Sequence, residues 1–371
     1  MKASRTIQRR SSITAKSEAN YAIIEKTIMF YKDKKVLVTG GLSFIGSHLC
    51  ESLVNDGAIV TIIDDLSSGS IENISAIRES IDFVKGDLRD SHVAASVIRN
   101  QDIVFHLANI HGGRGYIETH SGDICQNFII DGNIFRSCKE FGISKVCFAS
   151  SACVYPTSLQ VSDKSLQERY LSEEMADPFK VSCALADGEY GWGKFMAEMC
   201  LKAYNKQYGL EGVSCRLFTV YGPRENESHA VMAFIAKALA KQSPYEIWGS
   251  GEQDRNFTYV SDVVDGLMLA TEKISDCRAI NIGTDEITTI FDAAKLACSM
   301  LDHYPDSFYF DKTKPEGVHA RAASVKNQKT LLSWQPKVSF HQGLKRTIQW
   351  YLENRSLTDA EEAIKYKLFN R

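Results

Sequence analysis

The chain has no long hydrophobic run. Nothing in it approaches the roughly 18 consecutive apolar residues that a membrane span requires, so no membrane partner is expected. It has no surplus of one charge either: 43 Lys and Arg stand against 46 Asp and Glu, a net −3, which leaves no broad basic footprint for nucleic acid. Its ten cysteines, at 50, 125, 138, 147, 153, 183, 200, 215, 277 and 298, form no C-x-x-C pair and no zinc-like spacing, so no metal site is expected. Most sit among apolar neighbours, as reduced core thiols do, which points to a reducing, cytoplasmic compartment. No apolar core for a secretory signal precedes Val36, and no internal repeat is visible.

What is present is the composition of a soluble enzyme: 371 residues, 44% hydrophobic and 24% charged, enough for one large or two medium domains with a substantial core. Arg5, Arg9, Arg10 and Lys16 precede the first acid, Glu18. Transit peptides share that pattern, but residues 1–33 read here as a plain N-terminal extension. From Lys35 the pattern becomes regular. Lys35-Val-Leu-Val-Thr39 reads as a buried strand, and Phe44, Ile45, Leu49 and Leu53 fall at helical spacing up to Gly57. Ile59–Ile63, Asp82–Val84, Asp102–Leu107, Lys145–Ala149 and Val213–Leu217 continue as strands. Helices are expected between them, including 122–140 and 187–207. Strands alternating with helices predict an α/β fold, a doubly wound parallel sheet of Rossmann type.

After about residue 217 the alternation loosens into a smaller mixed lobe. It is expected to hold helices at 229–241, 261–272, 288–301 and 341–354, and a strand at 245–248. Phe257–Val260 is expected to return to the first sheet, and Thr358-x-x-Glu361 to form a capping box on a final helix. The expected division is an extension (1–33), a dinucleotide-binding domain (34–216 with about 256–283), a substrate lobe (217–255 and 284–352) and a helical tail (353–371).

Two local patterns carry chemistry. The run Thr39-Gly-Gly-Leu-Ser-Phe-Ile-Gly46 joins the first strand to the first helix. Gly40, Ser43 and Gly46 stand where small residues let backbone N–H groups cradle a pyrophosphate at a helix start. Asp64 follows eighteen residues after Gly46, at the next strand's end, placed to accept the adenosine ribose hydroxyls. With Asp65 beside it and no arginine directly after, a 2′-phosphate is repelled, and the expected cofactor is NAD rather than NADP. Asp87 and Leu88, after the third strand, are placed to face the adenine. The second pattern is Tyr190-x-x-x-Lys194 on one helix face, with Ser151 at a strand end upstream. An ammonium beside a phenol favours phenolate, so Tyr190 is the expected base, Lys194 its activator and Ser151 a second hydroxyl on the same substrate oxygen.

These residues, with 38–48, 104–108, 150–155, 190–194, 220–224, 255–262 and Trp334-x-Pro336, resemble the extended short-chain dehydrogenase/reductase family, and within it the nucleotide-sugar epimerases and dehydratases. The resemblance runs from about Lys35 to Trp350. It implies a tightly held NAD that is reduced and reoxidised in one turnover, touched also by Phe44, Ile45, Leu107 and Ala108. It implies a nucleotide-sugar substrate between the lobes, with Arg255 and Arg321 on its diphosphate, and a homodimer through the helices at 122–140 and 187–207. Thr219 stands where many relatives carry an asparagine near the phosphates.

A 4-keto sugar can be reduced on its other face, can lose water, or can be deprotonated at C5 and/or C3 and reprotonated on the opposite face. The family's 4,6-dehydratases carry Asp-Glu after the catalytic hydroxyl residue, where this chain has Ala152 and Cys153. The run Ser150-Ser-Ala-Cys-Val-Tyr-Pro156 is instead similar to the GDP-mannose 3,5-epimerases, in which this cysteine is an acid/base. Those enzymes also carry a glycine-rich run like Gly112-Gly113-Arg114-Gly-Tyr-Ile117. Their second acid/base is a lysine, where this chain has His229. A histidine exchanges protons near pH 7 and, at a helix N-terminus, resists charging. The expectation is therefore an NAD-dependent epimerase with Cys153 and His229 as the C5 and/or C3 pair. The alternatives are a simple 4-epimerase, a 4,6-dehydratase or a non-catalytic NAD-binding regulator.

Overall fold

The computed structural model describes residues 30–162, 165–177 and 186–367. Most of the expected extension, and Cys183, lie outside the described residues. Tyr31, assigned to the extension, belongs to the core: it is fully buried and its hydroxyl donates to Met268 O at 2.7 Å.

The apolar runs form seven parallel strands: β1 (Lys35–Thr39), β2 (Ile59–Asp64), β3 (Ile81–Lys85), β4 (Ile103–His106), β5 (Lys145–Ser151), β6 (Gly212–Leu217) and β7 (Asp276–Ile282). Their order is β7-β6-β5-β4-β1-β2-β3. Helices cover both faces, which is why most of the strands read as continuous apolar runs. On one side α1 (Phe44–Asn55) and α5 (Val260–Lys273) pack through Leu49, Leu53, Val263 and Leu267. On the other, α2 (Asn127–Glu140) and α3 (Gly188–Tyr208) pack through Ile134, Phe135, Ala197 and Leu201. Between β1 and β4 the strand order reverses direction. Thr39 is in register with both Ile63 and His106, so the loops leaving these strands part at one level and open a crevice there.

The smaller lobe is mixed. Strands Thr288–Thr289, Asp254–Arg255, Ala320–Ala323 and Tyr170–Leu171 form one sheet in that order. Its register sets Arg255 directly beside Arg321. Tyr170–Leu171 comes from within the span expected to belong wholly to the dinucleotide domain, so the chain crosses between lobes once more than the sequence indicated. Thr258–Tyr259 does not return to the large sheet but pairs with Val220–Tyr221; the seventh strand is Asp276–Ile282. Helix α4 (Ala230–Leu239) and helices Ile290–Met300 and Phe340–Asn354 enclose this lobe's core. The last helix opens on a capping box formed by Ser356 and Asp359, one of two out-of-phase readings of that polar run, rather than by Thr358 and Glu361. No helix among the described residues is long and apolar enough to cross a membrane.

Candidate active site

A single cleft of about 660 Å³ runs from the β1–α1 turn to the smaller lobe. At its first end the wall is backbone. Gly40 takes φ +70°, and a Cβ on Gly46 would lie 2.2 Å from Gly40 O. The turn therefore closes on itself with room for no side chain. Ser43 fits because it keeps an ordinary extended backbone (φ −83°, ψ −179°) as the N-cap of α1. Its hydroxyl makes no cap bond, so the first-turn N–H groups at Phe44, Ile45 and Gly46 remain for an anion.

Asp64 is buried at the end of β2, where its carboxylate accepts Leu42 N at 3.1 Å and Leu66 N at 2.9 Å. It thus braces the phosphate turn as well as facing the cleft. Asp65 accepts Ser67 N at 2.8 Å. Asp87 holds Arg89 bidentately at the rim beside buried Leu88. Leu107 and Ala108 are set by Thr39, whose Oγ1 accepts both their N–H groups at 3.1 and 3.0 Å. The cradle and the carboxylate pair fit NAD, whose pyrophosphate and adenosine ribose these groups would hold.

Ser151 ends β5, and Cys153 follows in a short turn whose N–H donates to Ser151 Oγ at 3.1 Å. Cys153 O accepts Asp187 N at 2.8 Å and lies 2.2 Å from where a Cβ on Gly191 would be. The glycine after Tyr190 is therefore required for the start of α3 to seat against the turn that follows β5. Tyr190 lines the cleft, while Lys194, one turn on, is fully enclosed behind it and donates to Ala149 O at 2.8 Å. In the chain alone the expected lowering of the phenol by Lys194 is not realised. Burial, reinforced by Cys153 and only partly offset by a Ser151 hydrogen bond, holds Tyr190 well above its ordinary value. Burial also pulls Lys194 down, opposed by Asp131 and Glu198. The physical reason is that the ammonium is spent on a carbonyl and its charge is not delivered to the phenol oxygen.

The far end of the cleft is built from side chains. Arg321 donates to Cys153 Sγ at 3.2 Å, Gln160 Oε1 at 2.7 Å and Asp187 Oδ2 at 2.6 Å. Arg114, which opens a short helix after Gly112 and Gly113, donates to both oxygens of Asp187 at 2.9 Å. Burial works against the Asp187 carboxylate, but Arg321 and Arg114 hold it below its ordinary range. Arg255 is pulled down to about 9 by burial and by those same two arginines, and its guanidinium donates to the Asp254 carbonyl at 2.7 Å. Arg321, expected on a diphosphate, is thus committed to the cysteine and to Asp187, while Arg255 faces the cleft without a carboxylate partner among the described residues. Thr219 lines the same cleft. His229 is the N-cap residue of α4, makes no cap bond, and lies 3.8 Å from Glu225. Burial lowers its imidazole to about 4.

The cleft therefore collects Tyr190, Ser151, Cys153 and His229 together with every expected cofactor and substrate residue except Lys194, which stands behind the wall. The sequence did not reveal Asp187 or Glu225. Asp187 is the N-cap residue of α3, but its side chain makes no cap bond. Glu225 is buried.

A crevice built for a dinucleotide that leads to a Tyr/Ser/Lys set defines an NAD-dependent enzyme. Residues 36–283 match the family described as the NAD dependent epimerase/dehydratase family, and the chain belongs to it. It is 30% identical over 347 residues to GDP-mannose 3,5-epimerase 1 of Oryza sativa subsp. indica, covering 92% of this chain and 88% of that protein. It is also 30% identical over 326 residues to a putative UDP-glucose 4-epimerase of Methanocaldococcus jannaschii, covering 86% of this chain and 99% of that protein. Among solved structures it is similar to UDP-N-acetylglucosamine 4-epimerase from Methanobrevibacter ruminantium M1 in complex with UDP-N-acetylmuramic acid. There the TM-score is 0.75 at 31% identity, covering 87% of this chain and 100% of that one.

Proposed function

We propose that this enzyme epimerises a nucleotide sugar at C5 and/or C3 by way of a 4-keto sugar. Bound NAD supplies the reversible two-electron oxidation at C4. Tyr190 takes the C4 hydroxyl proton, and Ser151 holds the same oxygen. The ketone acidifies the neighbouring C–H bonds, and Cys153 removes a proton from one face. His229 delivers a proton to the other. Arg255 grips the diphosphate. Arg321 presents a guanidinium to the sulfur and so fixes its place in the cleft.

The observation that carries this reading is Cys153 itself. It opens onto the cleft two residues from Ser151, with Arg321 donating to its sulfur at 3.2 Å. Two broader features belong to the same proposal. The exposed Phe128 and Ile129 of α2 and Trp192 and Met196 of α3 support a homodimer through these helices. The free state of all nine described cysteines supports a cytoplasmic location.

The test is incubation of GDP-, UDP- and dTDP-sugars in deuterated water, with NMR of the recovered sugars. Deuterium at C5 or C3 is expected, and Cys153→Ala is expected to abolish it while bound NAD is still reduced. Inversion at C4 without deuterium would make the chain a 4-epimerase with Cys153 and His229 only shaping the pocket.

A further inference from the structure

His229 presents a chemical difficulty. A neutral imidazole that resists protonation is a poor proton donor unless its other nitrogen is supplied with a proton at the same time. The structure holds a group placed to do that. Between the β6 end and α4 the chain passes through Gly222 at φ +155° and Arg224 at φ +70°. A non-glycine residue keeps such a backbone only when its surroundings impose it, and such residues gather at functional sites. Arg224 is pinned by Glu51 Oε1 at 2.6 Å and Ser47 Oγ at 3.3 Å, so the side chain that follows is turned inward.

That residue is Glu225. Its side chain is 4% exposed, and it lines the same cleft as His229. Oε1 lies 3.8 Å from His229 Nδ1, and Oε2 is buried with no hydrogen-bond partner. The neighbouring Asn226 and Ser228 form a tight turn, Ser228 N donating to Asn226 Oδ1 at 2.8 Å, that sets His229 at the head of α4. Burial pushes the Glu225 carboxyl well above the usual carboxylate range, against a backbone hydrogen bond from Gly222. Burial alone lowers His229. Titratable groups around the pair include His111, its ring 5.9 Å from that of His229, Arg224, which is committed to Glu51, and His48, whose Nε2 lies 3.0 Å from Pro223 O.

We propose that Glu225 is the proton reserve behind His229 and so completes the second acid/base of the epimerisation. This rests on the epimerase reading above. In the delivery step the C–H bond forms as the Nε2–H bond of His229 breaks. The Glu225 O–H bond breaks as Nδ1–H forms. The imidazole stays neutral with its proton on the other nitrogen, Glu225 becomes a carboxylate, and one proton has moved to carbon. Before the next turnover Nδ1 returns its proton to Glu225, Nε2 takes one from water, and Cys153 releases to water the one it removed from carbon. Glu225 touches no reacting atom and acts through the imidazole. It differs from the carboxylate of a Ser-His-Asp triad, which only orients and stabilises its histidine and never gives up a proton.

The test compares wild-type holoenzyme with Glu225→Gln, which keeps the shape and hydrogen-bonding atoms but has no acidic proton. In deuterated water, the ratio of inversion at C5 or C3 to C4 oxidation, read as bound-NADH absorbance, is expected to fall by about 100-fold or more. Glu225→Asp is expected to restore part of it. The wild-type minus E225Q infrared difference spectrum at pH 7 is expected to contain a protonated-carboxyl band. An unchanged ratio in E225Q, a carboxylate band in place of the carboxyl one, or a parallel loss of inversion and oxidation would each overturn the proposal. Absence of deuterium exchange in the wild type would overturn the epimerase reading and the proton reserve with it. Exchange in the wild type with an unaffected E225Q would overturn the proton reserve alone.

Discussion

The two ends of the cleft are built from different material. The NAD end is backbone: a turn without room for a Cβ at Gly46, free N–H groups at the head of α1, and Asp64 bracing the turn it faces. The far end is side chain: Arg114, Cys153, Asp187 and Arg321 arrive from separate segments and are held by charge and hydrogen bonds, with His229 at the head of α4. A backbone cradle recognises what is constant in a cofactor. A network of side chains can be rewritten one residue at a time, which fits a family whose relatives here carry the names of a 3,5-epimerase and of 4-epimerases.

If the two ends are separable, each can be broken alone. The largest effect is expected where they meet. Tyr190→Phe should lower turnover by about 10²- to 10⁴-fold with bound NAD retained, read by steady-state kinetics and by the absorbance of the purified protein. Loss of NAD along with activity would mean the ends are not independent. Next, Gly46→Ala forces a Cβ to 2.2 Å from Gly40 O. A clash of about 1–3 kcal/mol should weaken NAD binding roughly ten- to hundredfold in fluorescence titration, leaving the arginine network in place.

The smallest effect is expected from Asp187→Asn, which deprives Arg114 and Arg321 of their shared charge. Substrate-side exchange should fall about tenfold with NAD binding unchanged. Because the two arginines hold the Asp187 carboxyl below its ordinary value, the wild-type link is complete above about pH 4 and fails only as the pH drops below that. A wild-type exchange rate that loses this contribution between pH 7 and 5 would contradict the assignment.

The same division explains what could be read in the sequence. The phosphate turn was legible because its geometry is local: strand, small residues and helix follow one another within a dozen positions, and Asp64 comes at the next strand end. Tyr190, Lys194 and Ser151 were legible for the same reason, as one helix face and one strand end. Asp187 was not, because its partners Arg114 and Arg321 lie 73 and 134 residues away. Nor was Glu225, whose burial depends on the left-handed turn at Arg224, a conformation that Pro-Arg-Glu-Asn does not announce. The short strand Thr258–Tyr259 was misplaced because its apolar alternation fits either sheet, and only the crossing of the chain at Val220–Tyr221 decides between them.

The missing side chain at Gly191 has a last consequence. With no Cβ there, the first turn of α3 rests directly on the Cys153 carbonyl, and Asp187 N–H closes the joint at 2.8 Å. The Tyr190 phenol and the Cys153 thiol are therefore mounted on one joint. On the function proposed above, neither could be retuned for a new sugar without carrying the other along, and drift in substrate preference would come from across the cleft, where Arg255 and His229 stand on elements of their own.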